Sequence, residues 1–193
     1  MRGSERVETD LVALWRKMEA LVYLGLARSI GISNFSVAEM QLVAGAARIQ
    51  PVVNQVENHP MLHKAYTAEL MAAAKQLDIW ITAYSPLGGP GNSMAKADDP
   101  VKNLISNPVI ARIAEAHGKN AGQVLIRYQL QVGSIVIPKS VTPSRIVSNA
   151  DVFDFELSDA DMGALTDIGG ANPNRLINPP FRVGGKPVFP SLS

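Results

Sequence analysis

The sequence predicts an α/β chain made of parallel β-α units, and three observations carry that expectation. Between residues 11 and 169, short apolar stretches with the span of strands alternate with stretches of helical three-four spacing. No two strands are joined by a hairpin signal, so each return runs through a helix and the strands lie parallel. Right-handed crossovers then bring every strand's C-terminal end to one rim, and those ends carry Ser33-Asn34, Asn54-Gln55, Tyr84-Ser85 and Lys139-Ser140. Polar strand ends gathered on one face are what an α/β barrel presents, but an eightfold barrel needs roughly 250 residues. This chain has 193. The expectation is a parallel (β/α)8 chain of TIM-barrel type with only about the last four β-α units present, followed by a C-terminal tail. It is read as a single domain over 1–193: a leader or loop at 1–10, β-α units over 11–169 and a tail over 170–193.

The elements follow in order. Leu11, Leu14, Trp15, Met18, Leu21 and Val22 have the spacing of an amphipathic helix, with Thr9 or Asp10 as its cap and Gly25 after its end. A short strand covers about 28–33. Ser36 and Glu39 form a capping box for the next helix. The stretch "PVVNQVE" (51–57) is a strand, 67–77 a helix, and "IWITAYS" (79–85) a strand buried on both faces. A loop rich in Gly, Pro, Asn and Asp covers about 88–107 and is long enough to be functional. Pro108 sits at the first position of a helix that ends near Gly118, and Asn120 with Gln123 repeats the capping box before a helix to Gly133. "SIVI" (134–137) is read as a buried strand. Thr142 and Pro143 start a helix, and Ser158 starts another with Asp161 at its third position. After Gly169 the pattern dissolves into a Pro-rich tail.

Composition narrows the function classes. Nearly half the chain is hydrophobic, at 47%, enough for a substantial core. A net charge of +1 gives no general attraction to nucleic acid or to an anionic membrane surface, so neither is expected as a partner. The chain has no cysteine, which removes disulfide and thiolate chemistry and agrees with a reducing, cytoplasmic compartment. No window is long and apolar enough to span a membrane, and "MRGSERVETD" lacks the apolar run of a signal peptide.

The most informative stretch is "SIVIPKSVTPSRIVSN" (134–149). An apolar strand ends in Lys139 and Ser140 and runs into a helix N-terminus, with Arg145 and Asn149 four residues apart on that helix. A helix N-terminus offers N–H groups and partial positive charge to an anion. Lys139 adds a point charge, and Arg145 a planar fork with a stacking face. Together these suit a phosphate dianion; solvated basic residues at an ordinary strand-to-helix turn are the plainer alternative. Elsewhere, His59 and His63 have a spacing that could ligate a metal on a helix, but Pro60 opposes a helix there and no carboxylate or cysteine cluster completes a site. No metal is expected. His117 reads as a helix C-terminal residue and Met40 and Met71 as core, while Glu57 taken by itself could be a catalytic acid.

"GISNF", "VVNQVENHPML", "ITAYSPLG" and "VIPKSVTPSRIVSNADVFDFELS", in that order, resemble the aldo-keto reductases and match the C-terminal half of that family's barrel. The ordered set is specific where each motif alone is weak. The resemblance implies an NADPH-dependent oxidoreductase that reduces small aldehydes or ketones to alcohols by hydride transfer. It makes Glu57 structural rather than a catalytic acid. It gives Ser33, Asn34 and Gln55 to the nicotinamide carboxamide and Tyr84 to stacking on the nicotinamide ring. Ser85 and Leu87 would lie along the pyrophosphate. Lys139, Ser140 and Arg145 would meet the 2′-phosphate, with Arg145 also covering the adenine, and Asn149 would contact the adenine edge. Substrate choice in the family lies in loops; here the 88–107 loop and the tail, notably Pro179 and Phe181, would supply apolar pocket wall.

The sequence departs from the family pattern at two positions and in one absence. Ser148 stands where many relatives carry an acidic residue, which removes an adenine or latch contact, and Asn58 occupies a variable position. The family's catalytic Asp, Tyr, Lys and His have no counterpart here: Tyr23 and Tyr128 fall in helices, Tyr66 precedes a helix cap, and Tyr84 is given to stacking. No catalytic residue is therefore assigned within this chain, which alone is expected to be inactive. Its expected partners are a carbonyl substrate and a complementary half-barrel or a second copy. Two other readings stay open: a non-catalytic NADP-binding or interaction protein derived from the family, and a phosphate-handling barrel enzyme such as an isomerase.

Overall fold

The computed structural model describes residues 10–62, 64–90, 97–170 and 173–176, with the backbone of 182–183 and 186–187. Four strands, β1 (Ile32–Ser33), β2 (Val53–Glu57), β3 (Trp80–Tyr84) and β4 (Ile135–Val136), form one parallel sheet in the order β1-β2-β3-β4. Helices α1 (Leu11–Tyr23), α2 (Val37–Ala46), α3 (Lys64–Gln76), α4 (Pro108–Ala116), α5 (Ala121–Gln131), α6 (Pro143–Ala150) and α7 (Asp159–Thr166) surround it.

Helix ends form where the side chains dictate. Asp10 caps α1 by accepting from the Ala13 amide at 2.9 Å. Ser36–Glu39, Asn120–Gln123 and Ser158–Asp161 each close a reciprocal capping box, so two otherwise orphaned donors are satisfied at each start. Pro108 and Pro143 occupy first helical positions, where a missing N–H costs nothing.

In-register parallel pairing puts partners on the same face. One face carries Ile32, Asn54, Val56, Ile81 and Ala83, all buried. Trp15, Met40, Val43 and Leu70 from α1, α2 and α3 pack in the same cluster. A second cluster joins Ile110, Ile113, Val124, Leu125 and Leu165 from α4, α5 and α7 with Val101 and Leu104 of the long loop. That loop is therefore partly core, with a single 3-10 turn at Leu104–Ser106. The other face is only partly covered: Thr82 and Glu57 are buried, but Ser33, Gln55 and Ile135 are exposed and Trp80 is 59% exposed, so 79–85 is not buried on both faces along its whole length.

Several expectations change. β1 and β4 are two residues long rather than six and four, because each is an edge with one neighbour. Ile135 and Ile137 are consequently exposed, so 134–137 is not a buried strand. α3 starts at Lys64, which places Tyr66 inside the helix rather than before its cap. β5 (Arg182–Val183) and β6 (Lys186–Pro187) pair antiparallel, against the expectation of no hairpin. The Gly184-Gly185 link between them is the two-residue signal that hairpins favour.

Candidate functional site

All four strand ends meet on one rim, as the crossover rule requires, and the expected residues fall into two groups along it. The first lies at the ends of β1, β2 and β3. Asn34 leaves β1 with φ +60°, a left-handed conformation that asparagine tolerates, and its amide donates to the Gln55 carbonyl at 2.9 Å. The Ser33 hydroxyl donates to that same carbonyl at 2.9 Å, and Asn34 Nδ2 donates to Ser33 Oγ at 3.2 Å. The Tyr84 hydroxyl donates to Asn34 Oδ1 at 3.1 Å. Three side chains thus form a directed relay anchored on the β2 backbone. Beneath it, Asn54 accepts from the Phe35 amide and donates to the Phe35 carbonyl, fixing the chain's exit from β1. The Gln55 side chain stands exposed beside the relay, on the same face as Ser33.

Tyr84 is half-buried. Burial pushes its phenol up to about 12, and the Glu57 carboxylate adds to this while the Arg175 guanidinium opposes it. It therefore stays protonated and serves as a donor. Ser85 follows with φ +51°, a strained placement for a serine. Gly88 has φ +68°, and a Cβ there would fall 2.1 Å from the Val101 carbonyl oxygen, so no other residue fits this turn. Leu87, half-buried, packs against the second core cluster.

The second group lies beyond β4. Lys139 and Arg145 are exposed, and neither side chain has a hydrogen bond or ion pair among the described residues. Thr142 caps α6 without a side-chain bond. Ser140 Oγ accepts from the Thr142 amide at 3.2 Å, which holds the turn that presents the helix N-terminus. Asn149 is half-buried, with Oδ1 3.8 Å from where a Cβ on Gly122 would stand, so it lies against the start of α5. None of α6 is buried, and Ile146 and Val147 are exposed.

The sequence reading named Glu57, Asn58 and His59 separately but did not group them with Arg175 as a third set beside Tyr84. Glu57, in register with Tyr84, is 1% exposed and bonds His59 Nε2 at 2.6 Å. Arg175 lies 4.7 Å over the Tyr66 ring. Asn58 is buried and donates to Ser134 Oγ at 3.4 Å, so the position expected to be variable carries a tertiary bond. The motif "NQVENHP" was the signal for Glu57 and His59; Arg175 had none.

Among the described residues no group of three His, Asp or Glu could hold a metal, and no helix is long and apolar enough to cross a membrane. His63, Pro179 and Phe181 lie outside the described residues. A cavity of about 520 Å³, lined by Met71, Lys75, Asp78, Trp80 and Val132 among others, sits at the other end of β3, away from the rim. Its walls are mostly apolar, and none of the expected site residues reaches it.

A parallel α/β sheet with polar strand ends on one rim, and two exposed basic residues beside a helix start after the last strand, define the class. The aldo/keto reductase family model matches residues 5–169, and the chain belongs to that family. It is 42% identical over 181 residues to aldo-keto reductase family 1 member A1 of Gallus gallus, covering 93% of this chain and 53% of that protein. With member A1-A of Danio rerio it shares 45% identity over 175 residues, 91% of this chain and 52% of the relative. The solved aldose reductase from Schistosoma japonicum superposes with a TM-score of 0.75 at 36% identity, covering 90% of this chain and 51% of that one. The chain therefore spans about half the length of the relatives it matches.

Proposed function

We propose that this chain is the cofactor-binding half of an NADPH-dependent carbonyl reductase that converts aldehydes or ketones to alcohols. The observation that carries the reading is the rim itself, an ordered amide and hydroxyl cluster at one end and a basic, uncapped helix start at the other. Ser33, Asn34 and Gln55 would hold the carboxamide, and Tyr84 would lie under the nicotinamide ring. Ser85 and Leu87 would line the pyrophosphate. Lys139, Ser140 and Arg145 would grip the 2′-phosphate, and Asn149 would meet the adenine edge. When bound, the dinucleotide supplies the hydride; this chain's residues bind and orient it.

Proton donation belongs to residues outside these 193. A phenol that donates near neutral pH needs its pKa lowered. Tyr84 is pushed up to about 12 and is already committed to Asn34, while burial also raises Tyr128, which bonds Thr166 at 3.1 Å. Tyr23 stands in solvent on α1, and Tyr66 lies under Arg175. A complementary half-barrel is the partner that suits the partly exposed sheet face and two unpaired edges, where Trp80, Ile135 and Ile137 are exposed. The single-domain reading of 1–193 and a cytoplasmic location go with this proposal.

The test is quenching of the exposed Trp80 and buried Trp15 by NADPH, set against sugar phosphates of equal charge. Quenching by NADPH alone supports the cofactor shelf. Equal response to a sugar phosphate favours a phosphate-handling enzyme of another class. NADPH binding with no turnover even beside a complementary segment would favour the non-catalytic reading, which the environments of the four tyrosines also support.

A further inference from the structure

The cavity of about 520 Å³ at the other end of β3 has no part in the proposed function. It lies on the seam between the two cores. Ala74, Ile79 and Ile81 on one wall belong to the first cluster, with Met71 packed against it, while Val132 on the other wall packs against the second. The walls draw together where Met71 Cε stands 3.9 Å from the place a Cβ on Gly133 would take, and where Ser134 Oγ donates to Met71 Sδ at 3.9 Å. β3 has a neighbour on either side, so this seam is not a sheet edge awaiting another strand. The volume falls within the roughly 300–1,000 Å³ of small-molecule sites, which combine apolar walls with a few placed polar groups.

The mouth of the cavity sets the sign of what can enter. α3 and α5 both end there: Ala74 and Lys75 come from the last turn of α3, and Val132 and Gly133 follow α5. Helix C-termini carry partial negative charge. Lys75 answers the charge of its own helix, but α5 has no basic residue in its last turn. Asp78, just past α3, is exposed, and its carboxylate has no hydrogen bond or ion pair among the described residues. Trp80, exposed beside it, adds an indole, the aromatic ring that attracts cations best. We propose that this cavity binds a small amphipathic cation, with an apolar body in the seam between the two cores and an ammonium head at Asp78, Trp80 and the end of α5. Two helix ends and a carboxylate then face the head, while the body covers apolar wall that neither core fills. The site stands on its own residues and does not rest on the carbonyl reductase reading.

Three probes that differ only in the head group test this: 4-phenylbutylammonium, 4-phenylbutanol and 4-phenylbutanoate, each titrated into the 193-residue chain with no dinucleotide present. Binding is read from Trp80 fluorescence and from the Met71 methyl resonance, with the methyl of Met40, fully buried in the first core, as the control. The expected result is saturable binding of the ammonium about tenfold tighter than of the carboxylate, with the alcohol between them. The Met71 methyl should shift and the Met40 methyl should not. Asp78→Asn should remove most of the head-group preference while the alcohol binds as before; asparagine tolerates the left-handed φ of +55° at this position, so the fold is kept. Ala72→Phe, which fills the cavity from an exposed helix position, should abolish saturable binding of all three probes. No saturable binding of any probe, a carboxylate that binds as tightly as the ammonium, or a preference that survives Asp78→Asn would overturn the proposal. So would probe binding unchanged in Ala72→Phe.

Discussion

At one end of the rim, Ser33, Asn34 and Tyr84 are hydrogen-bonded to one another and to the β2 backbone before any ligand arrives. At the other end, Lys139 and Arg145 stand in solvent, and the α6 N-terminus has no side-chain cap. On the proposed reading, the difference follows from the chemistry each end would hold. A neutral carboxamide gains only about 0.5–1.5 kcal/mol per hydrogen bond, so its partners must be placed beforehand. A phosphate dianion draws flexible cations to itself with charge-assisted bonds of about 1.5–3 kcal/mol each, so the residues that meet it can begin disordered. The hydrogen-bonded end would set where the reactive ring lies, and the solvent-exposed end would set which dinucleotide is accepted.

The largest expected effect concerns the proton donor, which the proposed reading places outside this chain. With a reactive aromatic aldehyde, NADPH oxidation by this chain alone should fall short of an ordinary reductase by at least the roughly 10²–10⁴-fold that a positioned acid contributes. Light scattering in the same sample should show association or aggregation, because among the described residues β1 and β4 each have a single neighbour and part of one sheet face is exposed. A monodisperse monomer turning over at ordinary rates would mean that one of the tyrosines described above donates the proton after all.

A smaller effect separates the two ends directly. Arg145→Ala should weaken NADPH binding by about 1.5–3 kcal/mol, one to two powers of ten, and leave NADH binding unchanged. Tyr84→Phe should do the opposite in kind. It removes the bond to Asn34, worth about 1 kcal/mol, and should weaken both dinucleotides equally by roughly fivefold. If Tyr84→Phe discriminated between the dinucleotides, or Arg145→Ala did not, the division of labour along the rim would be wrong.

Acid titration probes the scaffold beneath both ends. Burial raises the pKa of Glu19, but bonds from the Arg16 guanidinium and from the Ile49 and Arg48 amides outweigh it and hold the carboxyl at about 2. A lowered folded-state pKa contributes stability that is present above the unfolded value, 4.5, and is lost as pH falls towards 2. Thermal melts should therefore flatten above pH 5 and drop below 4.5, and Glu19→Gln should remove part of that drop. Dinucleotide preference should not move with it.

Much of the fold was legible because it is written locally. Caps at Ser36, Asn120 and Ser158 need only three or four neighbouring residues and form as read, and Asp10 is the one of the two residues offered, Thr9 or Asp10, that caps α1. The parallel direction of the strands followed from the alternation of elements. Strand length did not, since β1 and β4 are cut short by having a single neighbour, which no local pattern records. At the site, the strand-end residues could be placed on one rim because topology puts them there. The Tyr84–Asn34 bond spans 50 positions and the Leu176–Glu57 bond 119, and neither leaves a trace in spacing. Glu19 was invisible for the same reason: a carboxylate on the buried side of α1 is explained only by amides 29 and 30 residues away.

The measurement closest to the central claim is calorimetric titration of the unmodified 193-residue chain with NADPH and with NADH, each at low and at high salt. The Lys139–Arg145 cradle predicts that NADPH binds tighter by about tenfold or more at low salt. The gap should narrow as salt screens the exposed cations. Equal affinities at both salts, or no binding of either dinucleotide, would contradict the account.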